Sequence, residues 1–310
     1  MPCAGVIGAG TMGHGIAQCF ALAGWRVNLF DPDDEALESV AERVRRNLET
    51  PLDLGLVTPR QAEACPGNIV PCRSLEDLAE GAEIIIESAT EDLELKRRIF
   101  AELESKAAAE TILATNTSAL AIGLIAQNLD RPERVVGTHF WNPPHVLPCV
   151  EVVRSVHTGE RVFEATYGIM EAIGKKPIRV KKDVPGFLGN RMQHALQREA
   201  MSLVDRGVAE PEDIDRVVRY GFGLRLALMG PLERADLGGL DVTLSVQSYL
   251  LEYLENGTVP SAALREKVRA GDLGAKTGRG FYEWSGEKIG KTTKRRDRLL
   301  LELIRMVEEE

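Results

Sequence analysis

The sequence predicts an α/β architecture, a doubly wound parallel sheet followed by an all-helical C-terminal domain. Three observations carry this. Short β-rich runs alternate with helical patterns through the first half, a glycine-rich turn follows the first run, and no useful β-rich run appears after residue 181. At roughly 100 to 200 residues per domain, 310 residues make two domains, each able to bury a core.

Strands are predicted over residues 4–7, 26–30, 83–87, 111–115, 135–139 and 150–153, with a weaker one near Ile69. Residues 33–49 have a helical period, and Glu35, Glu38, Glu42, Arg43, Arg45 and Arg46 give them a solvated, charged face. Pro185-Gly186 reads as a hinge, dividing the chain into a sheet domain over 1–184 and a helical domain over 185–310. Helices are expected over 187–206, which stops at Gly207, and over 212–220, 231–254, 261–270 and 295–308. The apolar run within 232–254 exceeds what a small helical domain buries internally, so a homodimer through these helices is expected.

Lys plus Arg number 38 against 47 Asp plus Glu, a net charge of −9 that would repel a phosphate backbone and argues against nucleic acid as a partner. Hydrophobic residues at 44% and charged residues at 27% are globular values. Five cysteines, Cys3, Cys19, Cys65, Cys72 and Cys149, are odd in number and lack CxxC spacing, as reduced thiols of a cytoplasmic protein would. No secretory signal and no membrane-spanning stretch is read, and no HExxH or Cys/His grouping suggests a metal.

The first strand runs into Gly8-Ala9-Gly10-Thr11-Met12-Gly13, and an apolar helical run follows. Strand, turn and helix in that order make a weak motif meaningful. Gly8 permits the tight turn, Gly10 lets backbone approach a pyrophosphate, and Gly13 lets the helix pack on the strand. The helix N-terminus offers unpaired N–H groups to phosphates. Asp31 ends the second strand, 18 residues after Gly13, where a carboxylate accepts from the adenosine ribose hydroxyls. Pro32, Asp33 and Asp34 follow without a nearby arginine, so NAD is expected over NADP. These parts make the first domain a Rossmann-type NAD-binding unit, with Gly8, Gly10, Thr11, Met12, Gly13 and Asp31 as cofactor contacts.

His139 ends a predicted sheet strand, the edge at which α/β folds gather ligands. Glu151 lies twelve residues on, in an apolar run where an unpaired carboxylate is expensive to bury, and an imidazole is a suitable partner. Such a pair beside a nicotinamide suits alcohol oxidation. From spacing alone, a structural histidine and a solvated glutamate remain the other reading. His14, His157 and His194 read as ordinary, His145 lies within the Pro-rich segment 142–148, and the basic stretch 288–298 reads as a solvated helix.

Five ordered motifs add a resemblance: Gly8-x-Gly10-x-x-Gly13; Asn116-Thr117-Ser118; His139-Phe140-Trp141-Asn142-Pro143 with Glu151; Pro185-Gly186-Phe187-x-x-Asn190-Arg191; and Lys276-Thr277-Gly278-x-Gly280-Phe281-Tyr282. As a set, from about Ala4 to Trp284, they resemble the L-3-hydroxyacyl-CoA dehydrogenase family. The resemblance implies that His139 is the general base, that Glu151 is its partner, and that Ser118 and Asn190 bracket the reacting oxygen. It implies Asn142 on the nicotinamide side, Glu91 and Lys96 beside the cofactor's ribose and phosphates, and Lys276 as another cofactor contact. Substrate is expected in the cleft between the domains.

Two departures bear on substrate. Acyl-CoA members of the family hold the CoA nucleotide partly through a lysine and a hydroxyl after the second strand, whereas this chain has no lysine before Lys96, leaving Ser39 and the arginines near Arg45. The segment 221–231 introduces Arg225, whose guanidinium suits a bidentate grip on a carboxylate if it is more than a surface arginine. That segment, with 142–148, is similar to the family's gulonate, carnitine and pyridine-carboxylate dehydrogenases, and the same loop also occurs in chains that look like acyl-CoA enzymes. The expected reaction is therefore NAD-dependent oxidation of a 3-hydroxyacyl-CoA, with a small free 3-hydroxy acid as the alternative. A lysine-based β-hydroxyacid dehydrogenase fits less well, because the helix after Gly186 offers Asn190 and Arg191 and no lysine at that place.

Overall fold

The computed structural model describes residues 1–308, which divide into two units. The first comprises Met1–Arg191 with Asp297–Glu302; the second comprises Met192–Arg296 and the residues from Leu303 on.

The first unit follows the alternation read from the sequence: β1 (Cys3–Ile7), α1 (Gly13–Leu22), β2 (Arg26–Phe30), α2 (Asp34–Glu38), α3 (Val40–Asp53), α4 (Pro59–Ala64), β3 (Ile69–Cys72), α5 (Leu75–Ala79), β4 (Ile84–Glu87) and α6 (Leu93–Lys106). It continues with β5 (Ile112–Thr115), α7 (Ile122–Ala126), β6 (Val135–Phe140), β7 (Cys149–Val153), α8 (Glu160–Ala172), β8 (Lys176–Val180) and the start of α9 (Gly189–Asp205). The eight strands form one sheet in the order β3-β2-β1-β4-β5-β6-β7-β8. Its central strands are buried along their whole length, as strands covered on both faces must be.

Alternate residues feed two cores. Ile84 and Ile86 face a cluster with Ile16 and Phe20 of α1, Val44 of α3 and Met170 of α8. Ile85 faces the other, with Leu78 of α5, Phe100 and Leu103 of α6 and Ile122 of α7.

Three elements of this unit depart from the sequence reading. The sheet is not wholly parallel, because β6 and β7 pair antiparallel. The segment 141–148 between them is too short for the crossover a parallel pair requires. An unforeseen strand, β8, closes the edge, where Pro177 costs little because an edge strand needs fewer ladder donors. The helix expected over 33–49 is two helices, α2 and α3, the second running on to Asp53.

The second unit holds α10 (Pro211–Tyr220), α11 (Phe222–Leu226), α12 (Pro231–Gly238), α13 (Leu240–Leu250) and α14 (Ala262–Arg269), with residues of α9 and of α15 (Gly286–Glu308). The single helix expected over 231–254 breaks at Gly239, whose φ of +92° no helix accommodates. Among the described residues of this unit no apolar side chain is fully buried, and Leu232, Leu237, Leu244 and Tyr249 are all exposed. Among the described residues no helix is long and apolar enough to cross a membrane.

Candidate active site

The glycine turn is built by close approach. A Cβ on Gly13 would lie 1.7 Å from the Gly8 carbonyl oxygen, and one on Gly8, itself at φ +94°, would lie 2.6 Å from Ser88 O. Gly10, by contrast, faces nothing within 4 Å, so its approach is left for a ligand. Asp31 ties the turn to β2: its Oδ2 accepts from Ala9 N–H at 2.6 Å and its Oδ1 from Asp33 N–H at 2.9 Å. A cavity of about 550 Å³ opens here, lined by Gly8, Gly10, Phe30, Asp31, Ala89 and Thr90 among others. Open backbone at Gly10 and a carboxylate on one cavity, with α1 beginning three residues after Gly10, fit the pyrophosphate and ribose of NAD.

The expectation of no arginine near Asp31 needs correction. Arg43, on α3, lies over the turn, where its Nη2 donates to Ala9 O at 2.6 Å and Ala36 O at 2.9 Å. Those bonds spend Nη2 on carbonyls. His14 is tied into the fold: its Nδ1–H donates to Gly10 O at 2.7 Å, its Nε2 accepts from Asn47 Nδ2 at 3.2 Å, and burial pushes its pKa down. Asn47 also lies 3.4 Å from Nδ1 of His145, so His145 sits by this network.

The antiparallel register of β6 and β7 sets His139 directly opposite Glu151. Both are buried, at 5% and 2% exposed, and His139 Nδ1 lies 2.7 Å from Glu151 Oε2. A carboxylate partner assigns the proton to Nδ1, which leaves the Nε2 lone pair available. The other carboxylate oxygen, Oε1, accepts from Leu188 N–H at 2.9 Å and Gly189 N–H at 3.1 Å, where α9 begins. Burial pushes the Glu151 carboxyl up, but the bonds from His139, Gly189 and Leu188 outweigh it and hold the group below its usual range. One residue further, Asn190 Nδ2 donates to Ser118 O at 2.9 Å. Trp141 and Phe187 flank the imidazole, with ring centroids 5.3 and 5.7 Å away.

The Ser118 loop is fixed from below. Glu91 Oε1 accepts from Thr117 Oγ1 at 2.5 Å, Ser118 N–H at 3.0 Å and Ala119 N–H at 3.1 Å. Burial raises the Glu91 carboxyl, yet these bonds and Lys96 together hold it low. Lys96 is itself buried, with Nζ donating to Glu87 Oε1 at 2.6 Å and lying 3.5 Å from Glu91 Oε2. Thr115 Oγ1 donates to the other Glu87 oxygen at 2.7 Å.

Comparison with known proteins gives these parts a context. The sequence matches the NAD-binding domain of 3-hydroxyacyl-CoA dehydrogenase over residues 3–184 and the C-terminal domain of that family over 186–284. The chain belongs to the 3-hydroxyacyl-CoA dehydrogenase family. It is an NAD-dependent oxidoreductase, and NAD is its cofactor. One relative, the 3-hydroxybutyryl-CoA dehydrogenase of Bradyrhizobium diazoefficiens, is 39% identical over 285 residues, 92% of this chain and 96% of its own. Another, the 5-formyl-3-hydroxy-2-methylpyridine 4-carboxylate 5-dehydrogenase of Mesorhizobium japonicum, is 35% identical over 304 residues, 98% of this chain and 97% of its own. A crystal structure of a dehydrogenase of the latter name, described as an NAD⁺-dependent dismutase, superposes with a TM-score of 0.92 at 33% identity over 99% of both chains. The (S)-3-hydroxybutyryl-CoA dehydrogenase of Ralstonia eutropha gives 0.75 at 34% identity over 92% of this chain and 99% of that one.

Within this dehydrogenase, His139, Glu151, Ser118 and Asn190 are brought together in the first unit, with Glu91 and Lys96 beneath the Ser118 loop. Asn142 is exposed on the segment after β6. Arg225, on α11, and Lys276, between α14 and α15, are exposed and belong to the second unit. Ser39 Oγ donates to Ala36 O at 2.8 Å, within its own helical turn. Two supporting residues escaped the sequence reading. Glu87 closes an Ile-Ile-Ile run, the same signal that singled out Glu151. Lys175 is buried and anchors the segment after Asn142 by donating to Pro144 O at 2.5 Å and Leu147 O at 3.1 Å. No sequence signal marks it.

Proposed function

We propose that this dehydrogenase oxidises the 3-hydroxyl of a 3-hydroxyacyl-CoA to the 3-ketoacyl-CoA, reversibly, with His139 as general base. The observation that carries the reading is the buried His139–Glu151 pair, with Glu151 held ionised by the amides of Leu188 and Gly189. Bound NAD supplies the hydride acceptor. Nε2 of His139 takes the hydroxyl proton as the C–H bond of the carbinol breaks and the carbonyl forms. Glu151 holds the Nδ1–H tautomer and stabilises the imidazolium that results. The Ser118 hydroxyl and the Asn190 amide bracket the reacting oxygen. Asn142 lies on the nicotinamide side, Glu91 and Lys96 serve the ribose, and Lys276 is a further cofactor contact. Residues 185–310 serve substrate and dimerisation. The homodimer reading is supported by the absence of any fully buried apolar side chain among the described residues of the second unit.

A second reading has its own support. The pyridine-carboxylate dehydrogenase matches this chain over nearly its whole length, and no lysine precedes Lys96 as a CoA handle. In that reading the substrate is a small free hydroxy acid, and Arg225 grips its carboxylate. NADH formation from 3-hydroxybutyryl-CoA, compared with a panel of free 3-hydroxy acids, separates the two. The first reading expects the thioester to be preferred and Arg225→Ala to leave it nearly unaffected. Preference for a free acid, with KM raised tenfold or more by Arg225→Ala, overturns it.

A further inference from the structure

The cavity that holds the glycine turn does not end at Asp31. It also takes in Leu95, Ile99, Glu102 and Lys106 of α6, with Leu75 opposite. These four positions follow one stripe of the helix, at i, i+4, i+7 and i+11, so they share one face. The stripe is apolar nearer the turn and charged further along. Leu95 and Glu102 stand about 10 Å apart along the helix axis. A dinucleotide anchored by its pyrophosphate at Gly10 and its ribose at Asp31 would lay its base along this stripe, since one cavity takes in both. A purine fits such a wall: its faces are apolar and its far edge is polar.

We infer that Glu102 and Lys106 read the amine edge of the adenine, so that this site selects a 6-amino purine over a 6-oxo purine. The Glu102 carboxylate accepts from the exocyclic N6–H, and the Lys106 ammonium beside it donates to a ring nitrogen. The two side chains are placed for this. Their charged atoms lie 3.8 Å apart, too far for a hydrogen bond with each other, and they are 53% and 31% exposed, so neither is locked away. With a 6-oxo purine the same carboxylate faces a carbonyl oxygen, and the contact turns repulsive. The inference rests on NAD as cofactor and not on the identity of the substrate.

Calorimetric titration of the full-length protein with NADH and with its hypoxanthine analogue tests it. A hydrogen bond to a partly exposed charge is consistent with roughly tenfold weaker binding of the hypoxanthine form by the wild type. Glu102→Gln presents both an acceptor and a donor, so the two dinucleotides are expected to bind within about threefold of each other. In that variant the hypoxanthine form binds no worse than it does to wild type, which reports an intact fold. Equal affinities in the wild type, or an unchanged ratio in Glu102→Gln, overturn the assignment.

Discussion

Glu151 is ionised because three hydrogen bonds outweigh its burial, and that balance has a pH signature. Its folded-state pKa is depressed, so the stability it contributes is fully present above the unfolded value near 4.5 and is lost as pH falls through the lower folded value. Thermal melts of wild type and Glu151→Gln from pH 7 to 3 should show a wild-type advantage that narrows below about pH 4.5. An advantage undiminished at pH 3 contradicts the assignment. Gly13 gives a second check, since Gly13→Ala drives a Cβ into the Gly8 carbonyl oxygen. Overpacking of that kind costs about 1–3 kcal/mol, measurable by denaturant titration, and NADH affinity should fall with it. His139 and Glu151 were legible as residues because the apolar surroundings of a carboxylate demand a partner. Arg43 was not, because its role depends on how α3 lies over a turn more than thirty residues earlier in the chain.

Among the elements, the first turn of α9 does the most positioning. Leu188 and Gly189 donate to Glu151, Asn190 reaches the Ser118 loop, and Gly189 lies so close to Trp141 that a Cβ there would fall 2.0 Å from the indole. Gly189→Ala must displace either the indole or the helix start, so turnover should fall at least tenfold while NADH affinity, set at the glycine turn, changes little. Matched losses in both would show that α9 positions the cofactor rather than the base. The principal strands were legible because buried parallel strands read as apolar runs, and Glu87 hid as the last residue of one such run. β8 was not, because Pro177 and exposed Lys176, Ile178 and Arg179 disguise an edge strand. The break at Gly239 was missed because a glycine inside an apolar periodic run reads as tolerated until its φ is known.

Across the whole molecule, the −9 charge must accommodate an anionic cofactor. Lys96 shares its charge with Glu87 and Glu91, so the pyrophosphate depends on backbone N–H groups at the turn more than on side-chain cations. The second unit's uncovered apolar helices predict a solution mass of twice 34.0 kDa by light scattering at micromolar concentration. A monomer mass would contradict that. The central claim is that a buried imidazole–carboxylate pair carries the proton in an NAD-dependent oxidation. Its most direct test is steady-state NADH formation from 3-hydroxybutyryl-CoA, or from the preferred hydroxy acid, by wild type and His139→Gln at saturating NAD. General-base catalysis of this kind is worth roughly 10²–10⁴-fold, so kcat should fall at least a hundredfold with NADH affinity unchanged. Near-normal kcat in His139→Gln would contradict the account.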